Sequence, residues 1–219
     1  MIHVLHIGKT GGTAIKAALE AHRDKFELHE HSVRLSDCRR GELVFFALRL
    51  PVDRFVSSFN SRLRKGLPRY FYEWTAGEAA AFRRFSTAND LAEALWSPNP
   101  LRRHRAQRAM RNIRHVKRPL GYWLGSAEYL MSRRTDVMIG DIATLQSDFS
   151  RLLGVAGLEP MSLPSDPLAS HKTPETMDRH LSEAGRTNLS KWYASDIALY
   201  DRAMGLRRAE IAEMEQTEV

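Results

Sequence analysis

The fold is decided by the amino-terminal stretch MIHVLHIGKTGGTAIKAALE, residues 1–20, in which an apolar run meets glycines and then a helical pattern. The run over residues 1–7 is short, contains β-branched residues and ends at a glycine, which is typical of a buried strand. From Thr13 onwards the apolar residues recur at the spacing of a helix that packs on a sheet. A strand followed at once by a helix favours an α/β protein.

Three later segments predict the remaining strands of the sheet. They are KFELHEH (residues 25–31), ELVFFALRL (42–50) and TDVMIGD (135–141). ELVFFALRL is the clearest of them, because a continuous apolar run suits a strand that is covered on both faces. Pro51 follows directly and ends the strand.

Helical patterns lie between and after these strands. VDRFVSSFNSRLRKG (52–66) turns Phe55, Val56 and Phe59 inward, and ATLQSDFSRLLGVAGL (143–158) is amphipathic. Strands that alternate with helices indicate a parallel sheet. We therefore predict an α/β fold of the three-layer, P-loop-like kind, with a central and mostly parallel sheet flanked by helices.

The length and the apolar pattern set the expected organisation of the chain. With 219 residues the chain can bury one sizeable core, so we expect a single domain over residues 1–219, with 205–219 as a frayed tail. No apolar run approaches the roughly 20 residues that span a bilayer, and no signal peptide is recognisable. A cytoplasmic protein without a transmembrane segment is expected.

Charge and cysteine content narrow the classes of partner. The net charge of +7 and a pI near 9.8 favour a polyanionic partner, which is nucleic acid, a nucleotide, an anionic glycan or an anionic membrane face. The single cysteine, Cys38, excludes an internal disulfide and a cysteine-cluster metal site. No metal is expected either at His29 and His31, because third and fourth ligands at suitable spacing do not stand out.

The glycine-rich loop predicts an anion site. A Walker A motif needs a glycine five residues before Gly8, but that position is His3, inside the strand. Here Lys9 comes first and the glycines follow it, so the amides of residues 10–13 form a nest at a helix N-terminus. Thr10 and Thr13 add hydroxyl donors. The alternative is a tight turn with a solvated lysine, whereas a dinucleotide-binding G-x-G-x-x-G pattern is absent.

A second anion motif is LRLPVDRFVSSFN, residues 48–60. Arg49 lies at the predicted strand end, Pro51 fixes the turn, and Ser57 follows in the second turn of the predicted helix. An arginine and a hydroxyl on neighbouring elements can bind one phosphate from two directions, and arginine offers a fixed fork of donors. The sequence therefore predicts two phosphate sites, each at the end of a strand.

The two motifs together resemble those of the nucleotide-dependent sulfotransferases, especially the branch of the heparan sulfate 2-O-sulfotransferases and related bacterial enzymes. HIGKTGGTAI (6–15) is similar to the family's 5′-phosphosulfate loop, and LRLPVDRFVSSFN to its 3′-phosphate motif. Weaker similarity continues in NPLRRHRAQRAM (99–110), in DVMIGDIATLQSDFSRLLGVAGL (136–158) and in NLSKWYASDIALYDRA (188–203). The resemblance implies 3′-phosphoadenosine 5′-phosphosulfate (PAPS) as the sulfate donor.

The resemblance also implies roles for individual residues. Lys9 would neutralise charge on the oxygen between phosphate and sulfate, and the amides of Gly11, Gly12 and Thr13 would hold the 5′-phosphate. Arg49 and Ser57 would hold the 3′-phosphate. Further candidates are His171 and Lys172 in the loop SHKTP, over the adenine or the 3′-phosphate, and Gln107 and Arg108, beside the substrate or the cofactor.

Transfer to a hydroxyl needs a general base, and ELHEHSVRL offers three candidates. His29 and His31 are two apart, which places them on the same face if the segment is extended. By resemblance to the His-x-His element of the 2-O-sulfotransferases, His31 is the predicted base and His29 orients the substrate or the base. Glu30 is the rival, because other sulfotransferases of related fold use a glutamate.

Two functions from different classes remain open. The first is transfer of a sulfuryl group from PAPS to a hydroxyl of a carbohydrate, glycolipid or other small acceptor, with release of 3′-phosphoadenosine 5′-phosphate (PAP). The second is a non-catalytic basic α/β module that binds nucleic acid or another polyanion through residues 102–118. This basic segment has no interleaved aromatic residues, so we assign it to the rim of the substrate or cofactor site. A nucleotide kinase is a third option that lacks the complete loop.

Overall fold

The strands predicted from the sequence form one parallel sheet in the computed structural model, which describes residues 1–166, 174 and 176–217. The strands are β1 (Ile2–Val4), β2 (Phe26–Leu28), β3 (Val44–Leu48) and β4 (Val137–Asp141), in the order β2-β1-β3-β4. Every neighbouring pair is parallel. The predicted α/β class with a mostly parallel sheet is therefore confirmed, and the carboxyl ends of all these strands lie at one edge.

Helices of varied length connect and cover the strands. In chain order they are α1 (Gly12–Leu19), α2 (Pro51–Leu63), α3 (Ala76–Phe82), α4 (Ala88–Ala94), α5 (Pro100–Asn112), α6 (Gly121–Leu124), α7 (Ala127–Ser132), α8 (Leu145–Val155), α9 (Glu183–Trp192) and α10 (Ala194–Thr217). Short 3₁₀ turns occur at Glu20–His22, Leu35–Asp37 and Ile142–Thr144. None of these described helices is both long and apolar enough to cross a bilayer.

Contacts between residues divide the chain into two compact units. The first unit comprises Met1–Arg49, Leu120–Ser170 and Ala198–Val219, and the second comprises Leu50–Pro119 and His171–Ile197. The expectation of a single domain over residues 1–219 stays a prediction.

The sheet of the first unit is covered on both faces. Val4, Phe45 and Met138 pack on one face against Ile15 of α1 and against α8. On the other face Leu5 and Ile7, which follow β1, and Phe46 and Ile139 pack against α6, α7 and residues 199–206 of α10. This alternation is what a strand period of two requires of a sheet between two helical layers.

The carboxyl-terminal helix is longer than the sequence predicts. Residues 205–217, where a frayed tail is expected, belong to α10. Arg207 of this helix pairs with the buried carboxylate of Asp148 at 2.7 Å, and Glu210 pairs with Arg151 at 2.9 Å. These ion pairs connect the polar end of α10 to α8.

The second unit is helical and has its own core. α2 contributes Phe55, Val56 and Phe59 to that core, as its periodicity predicts, and α4 and α9 contribute Leu91 and Leu189. A buried ion pair lies beside the core. Both side chains of the pair, Arg62 of α2 and Glu78 of α3, are almost fully buried, and Arg62 Nε donates to Glu78 Oε1 at 2.7 Å.

The hydrogen bonds to Glu78 hold its charge in place. Burial alone would raise the pKa of this carboxyl group, but the bonds from Arg62 and from the backbone amides of Arg114 and Thr75 outweigh it and lower the pKa to about 2. The ionised carboxylate of Glu78 therefore contributes its full stabilisation to the fold above pH 4.5, which is the ordinary pKa of this group in the unfolded chain. This stabilisation is lost as the pH falls towards 2.

We expect Glu78→Gln to lower the free energy of unfolding by about 3 kcal/mol at pH 7, because it leaves the guanidinium of Arg62 buried without its counter-charge. Glu73→Gln is the matched control, since Glu73 pairs with Lys65 at the solvent-exposed surface and its loss should change the free energy of unfolding little. Urea unfolding of both variants at pH 7 and at pH 3 measures the effect. A cost for Glu78→Gln that stays the same at both pH values would contradict the assignment.

Candidate functional site

The glycine loop joins β1 to α1 in the first unit. Gly11 is the N-cap of α1 with φ 91°, and its carbonyl accepts hydrogen bonds from the amides of Ala14 and Ile15. The amides of Gly11, Gly12 and Thr13 come before these bonds, so they are the donors that a helix N-terminus leaves for an external acceptor. The loop therefore has the amide arrangement of an anion site.

The two glycines after Thr10 allow close packing on both sides of the loop. A Cβ atom on Gly11 would come within 2.5 Å of Leu145 Cδ2, and one on Gly12 within 2.4 Å of His6 Cδ2. Any other residue at either position would displace a neighbour. Gly12 therefore places the start of α1 directly against the imidazole ring of His6.

The hydroxyl groups of the loop differ in their surroundings. Thr10 is buried, and its Oγ1 donates to the carbonyl oxygen of Ile7 at 3.0 Å, so this hydroxyl closes the turn. Thr13, on the first turn of α1, is partly exposed. Of the two threonines predicted as donors to an anion, Thr13 is the better placed.

Lys9 has a backbone conformation that is unusual for a residue with a side chain. Its φ is 71°, in the left-handed region, which costs a residue with a Cβ atom about 1–2 kcal/mol. Glycine adopts this conformation without that cost. A lysine held at a strained position in this glycine loop points to a functional role for its side chain as a hypothesis.

The predicted base, His31, lies against His6. The ring centroids are 3.8 Å apart, and His31 Nδ1 is 2.9 Å from the backbone carbonyl oxygen of His6. A carbonyl oxygen only accepts, so Nδ1 donates the hydrogen. The basic lone pair of the neutral ring is then on Nε2. The indole of Trp123 also donates to the His31 carbonyl at 2.9 Å, which fixes the backbone of this turn.

His6 is neutral at physiological pH. Burial, together with the charges of nearby His31, Lys16 and Lys9, lowers the pKa of His6 to about 3. His6 contacts Gly12 on one side and His31 on the other, so it connects the loop to the predicted base. His6 is absent from the site expected from the sequence. In the sequence, His6 is marked only as a polar residue next to Ile7 in a mainly apolar run.

His29 does not share a site with His31. Its ring stacks on His3 at a centroid distance of 5.1 Å, whereas the ring of His31 lies on His6. His3 and His6 are three residues apart along β1 and its extension, so they face opposite sides of the sheet. The prediction that His29 and His31 lie on the same face is therefore wrong. The reason is that β2 ends at Leu28 and the chain turns at His31.

Glu30, the alternative candidate for the base, forms a salt bridge with a lysine side chain. Its carboxylate forms an ion pair with Lys16 of α1, and the side chain is 75% exposed. Lys16 also donates to the carbonyl oxygen of His29 at 3.3 Å.

Arg49 directly follows β3 and is partly exposed. Because β1 and β3 are parallel neighbours, Arg49 and the glycine loop both follow strands at the same edge of the sheet. This is the edge at which open parallel sheets bind ligands. Within the first unit His31 is therefore linked to the loop through His6, and the strand end that carries Arg49 lies at the same edge of the sheet.

The remaining candidates lie elsewhere in the chain. Ser57 is a partly exposed residue of α2, and Gln107 and Arg108 belong to α5, all in the second unit. Gln107 is turned inward and donates to the Leu95 carbonyl at 3.3 Å, whereas Arg108 is exposed. His171 and Lys172 lie outside the described residues.

Comparison of the chain with models of known protein families, with curated proteins and with solved structures finds no significant match.

Proposed function

We propose that the protein is a sulfotransferase that uses PAPS, with a P-loop-like arrangement of β1, the glycine loop and α1. One observation carries the proposal: the predicted base His31 packs on His6, and His6 packs on Gly12 at the N-terminus of α1. A proton acceptor thus lies one side chain away from the predicted 5′-phosphosulfate loop. The similarity of the two phosphate motifs to those of sulfotransferases supports the same function.

The loop is suited to the 5′-phosphosulfate group. The amides of Gly11, Gly12 and Thr13 and the positive end of the α1 dipole favour an anion. Lys9 adds a full positive charge beside them. We assign Arg49 to the 3′-phosphate, because a guanidinium fork matches the geometry of a phosphate.

The proposed reaction is an in-line displacement at sulfur. A bond forms between the acceptor oxygen and sulfur, and the bond between sulfur and the 5′-phosphate oxygen breaks. His31 Nε2 takes the proton of the acceptor hydroxyl, and Lys9 opposes the negative charge that develops on the leaving oxygen of PAP. The neutral ring of His6 holds His31 in position and adds no charge of its own.

The proposed acceptor is a carbohydrate, a glycolipid or another small hydroxyl compound. Tyr70, Phe71 and Tyr72 in the second unit are exposed, and Tyr70 and Tyr72 lie 6.0 Å apart between ring centroids. Arg69 lies over the ring of Tyr70 and Lys65 over that of Phe71, so this aromatic surface of the second unit also carries positive charge. Trp74 instead packs against the core of the second unit.

Calorimetric titration with PAP and with AMP tests the proposal, because only PAP carries the 3′-phosphate. We expect PAP to bind at one molecule per chain and more tightly than AMP. Arg49→Ala should weaken PAP binding about 10- to 100-fold and leave AMP binding nearly unchanged, since a hydrogen bond to a charged group is worth about 1.5–3 kcal/mol. Arg40→Ala is the control, because Arg40 is exposed and donates to Ser132.

An absence of PAP binding would overturn the sulfotransferase proposal. The second function, polyanion binding, is favoured by α5, on which the following arginines are exposed: Arg102, Arg103, Arg105, Arg108 and Arg111. Nucleic-acid binding that weakens steeply with salt, in a protein that does not bind PAP, would support that function instead.

A further inference from the structure

We propose that His3, His29 and Cys38 form a binding site for a divalent transition-metal ion, with Zn²⁺ as the best match. Among the described residues these three form a group whose ligand atoms all lie within 4.8 Å of one another. The site lies on the face of β1 opposite His6. Of the residues assigned to sulfuryl transfer, it shares only His29. The structure separates His29 from His31, so this inference does not depend on the proposed function.

The register of the sheet brings the ligands together. His3 on β1 is paired with Glu27 on the neighbouring edge strand β2, so these two side chains share a face. His29 follows Glu27 by two residues and returns to the same face. The 3₁₀ turn Leu35–Asp37 then brings the buried side chain of Cys38 close to His29 Nε2. Ligands from three separate segments of the chain thus meet at one edge of the sheet.

The distances fit a tetrahedral ion. His3 Nδ1 lies 2.9 Å from His29 Nε2, and Cys38 Sγ lies 4.0 Å from His29 Nε2. The zinc–nitrogen and zinc–sulfur bond lengths give tetrahedral edges of roughly 3.3 Å between two nitrogens and roughly 3.6 Å between nitrogen and sulfur. The observed distances lie within about half an ångström of these values, so side-chain adjustments alone can complete the geometry.

Two carboxylates complete the environment of the ion. Glu27 Oε2 is 3.2 Å from His3 Nδ1, which makes Glu27 the candidate fourth ligand, and its side chain is 55% exposed, which gives the ion access from solvent. Glu42 Oε2 is 2.8 Å from His3 Nε2. A carboxylate on the outer nitrogen of a histidine keeps the hydrogen there and turns the lone pair of the other nitrogen to the metal.

The choice of metal follows from the ligands. Two imidazoles, one thiolate and one carboxylate are a set that Zn²⁺ binds tetrahedrally. Mg²⁺ and Ca²⁺ prefer oxygen ligands and do not match. Cobalt(II) binds in the same geometry and is visible in absorption spectra, so it reports on a zinc site.

Titration of the metal-depleted protein with Co²⁺ tests the site. Cys38 is the only cysteine in the chain, so a thiolate-to-cobalt charge-transfer band can arise only from this residue. We expect such a band, with visible ligand-field bands of a tetrahedral ion, to saturate at one Co²⁺ per chain and to disappear when Zn²⁺ is added. Elemental analysis after equilibration with Zn²⁺ should give one zinc per chain.

Variants separate this site from accidental surface binding. Cys38→Ser should abolish the charge-transfer band, and His29→Ala should abolish it or weaken Co²⁺ binding more than 100-fold. Glu42→Gln, which changes only the outer partner of His3, should weaken binding about 10- to 100-fold. His180→Ala, at an exposed histidine of the second unit, is the control and should bind as the wild type does. The proposal is overturned if excess Co²⁺ gives no charge-transfer band, or if the band survives in His29→Ala at unchanged affinity.

Discussion

Replacing Lys9 with glycine is expected to lower the rate of sulfuryl transfer about 100- to 1000-fold, which is the usual effect of removing one group that stabilises charge in a transition state. The same substitution removes a side chain from a backbone position with φ 71°. Glycine relieves the strain at this position, so the free energy of unfolding should be equal to that of the wild type or up to about 1 kcal/mol higher. A variant that is inactive and equally stable would show that the lysine is there for function.

Turnover of labelled PAPS, with a panel of glycans, glycolipids and phenols as acceptors, gives the rate, and urea unfolding gives the stability. Lys191→Ala is the control, because Lys191 is an exposed residue of α9 and should keep full activity. Turnover by Lys9→Gly within a factor of three of the wild type would rule out the assigned role. A loss of stability by several kcal/mol would instead show that Lys9 holds the loop together.

His31→Asn should lower the turnover rate about 100- to 10,000-fold, as expected for loss of a general base. Asparagine is the variant of choice because its side-chain amide can still donate to the His6 carbonyl, as His31 Nδ1 does at 2.9 Å. The fold of the turn should therefore persist while the basic nitrogen is lost. Added imidazole should restore part of the activity of His31→Ala, in which the space of the ring is vacated.

Two other variants make this test selective. His180→Asn changes an exposed histidine of the second unit and should leave turnover unchanged. Glu30→Gln should keep most of the activity, because the carboxylate of Glu30 is paired with Lys16 and exposed. Full activity in His31→Asn combined with a large loss in Glu30→Gln would move the base to Glu30.

The sheet and its class were predictable from local patterns. All the described strands were expected as strands, because each is a short apolar run bounded by turn residues. The inward face of α2 was predictable for the same reason, since Phe55, Val56 and Phe59 recur at helical spacing. The helical end of α10 was not predicted, because its contacts, such as the ion pairs of Arg207 and Glu210 with α8, join residues 59 positions apart in the sequence.

The candidate site was predictable only in part. The glycine loop is a local motif, so its place between β1 and α1 follows from the sequence. The contact of His31 with His6 depends on where β2 ends and on how the chain turns after Leu28, which spacing alone does not determine. The cluster around His29 was also missed, because its partner His3 is 26 residues away and is reached only through the pairing of β1 with β2.

The order of the elements along the chain has a consequence for folding during synthesis. β3 ends at Leu48, but its partner β4 begins only at Val137, and Arg207 of α10, which shares the buried carboxylate of Asp148 with Arg151, comes later still. Contacts between residues so far apart form late, because a long loop must close first. On the ribosome β3 therefore has an unpaired, wholly apolar edge until most of the chain has emerged. Chaperone binding to the nascent chain is expected to be concentrated on this strand.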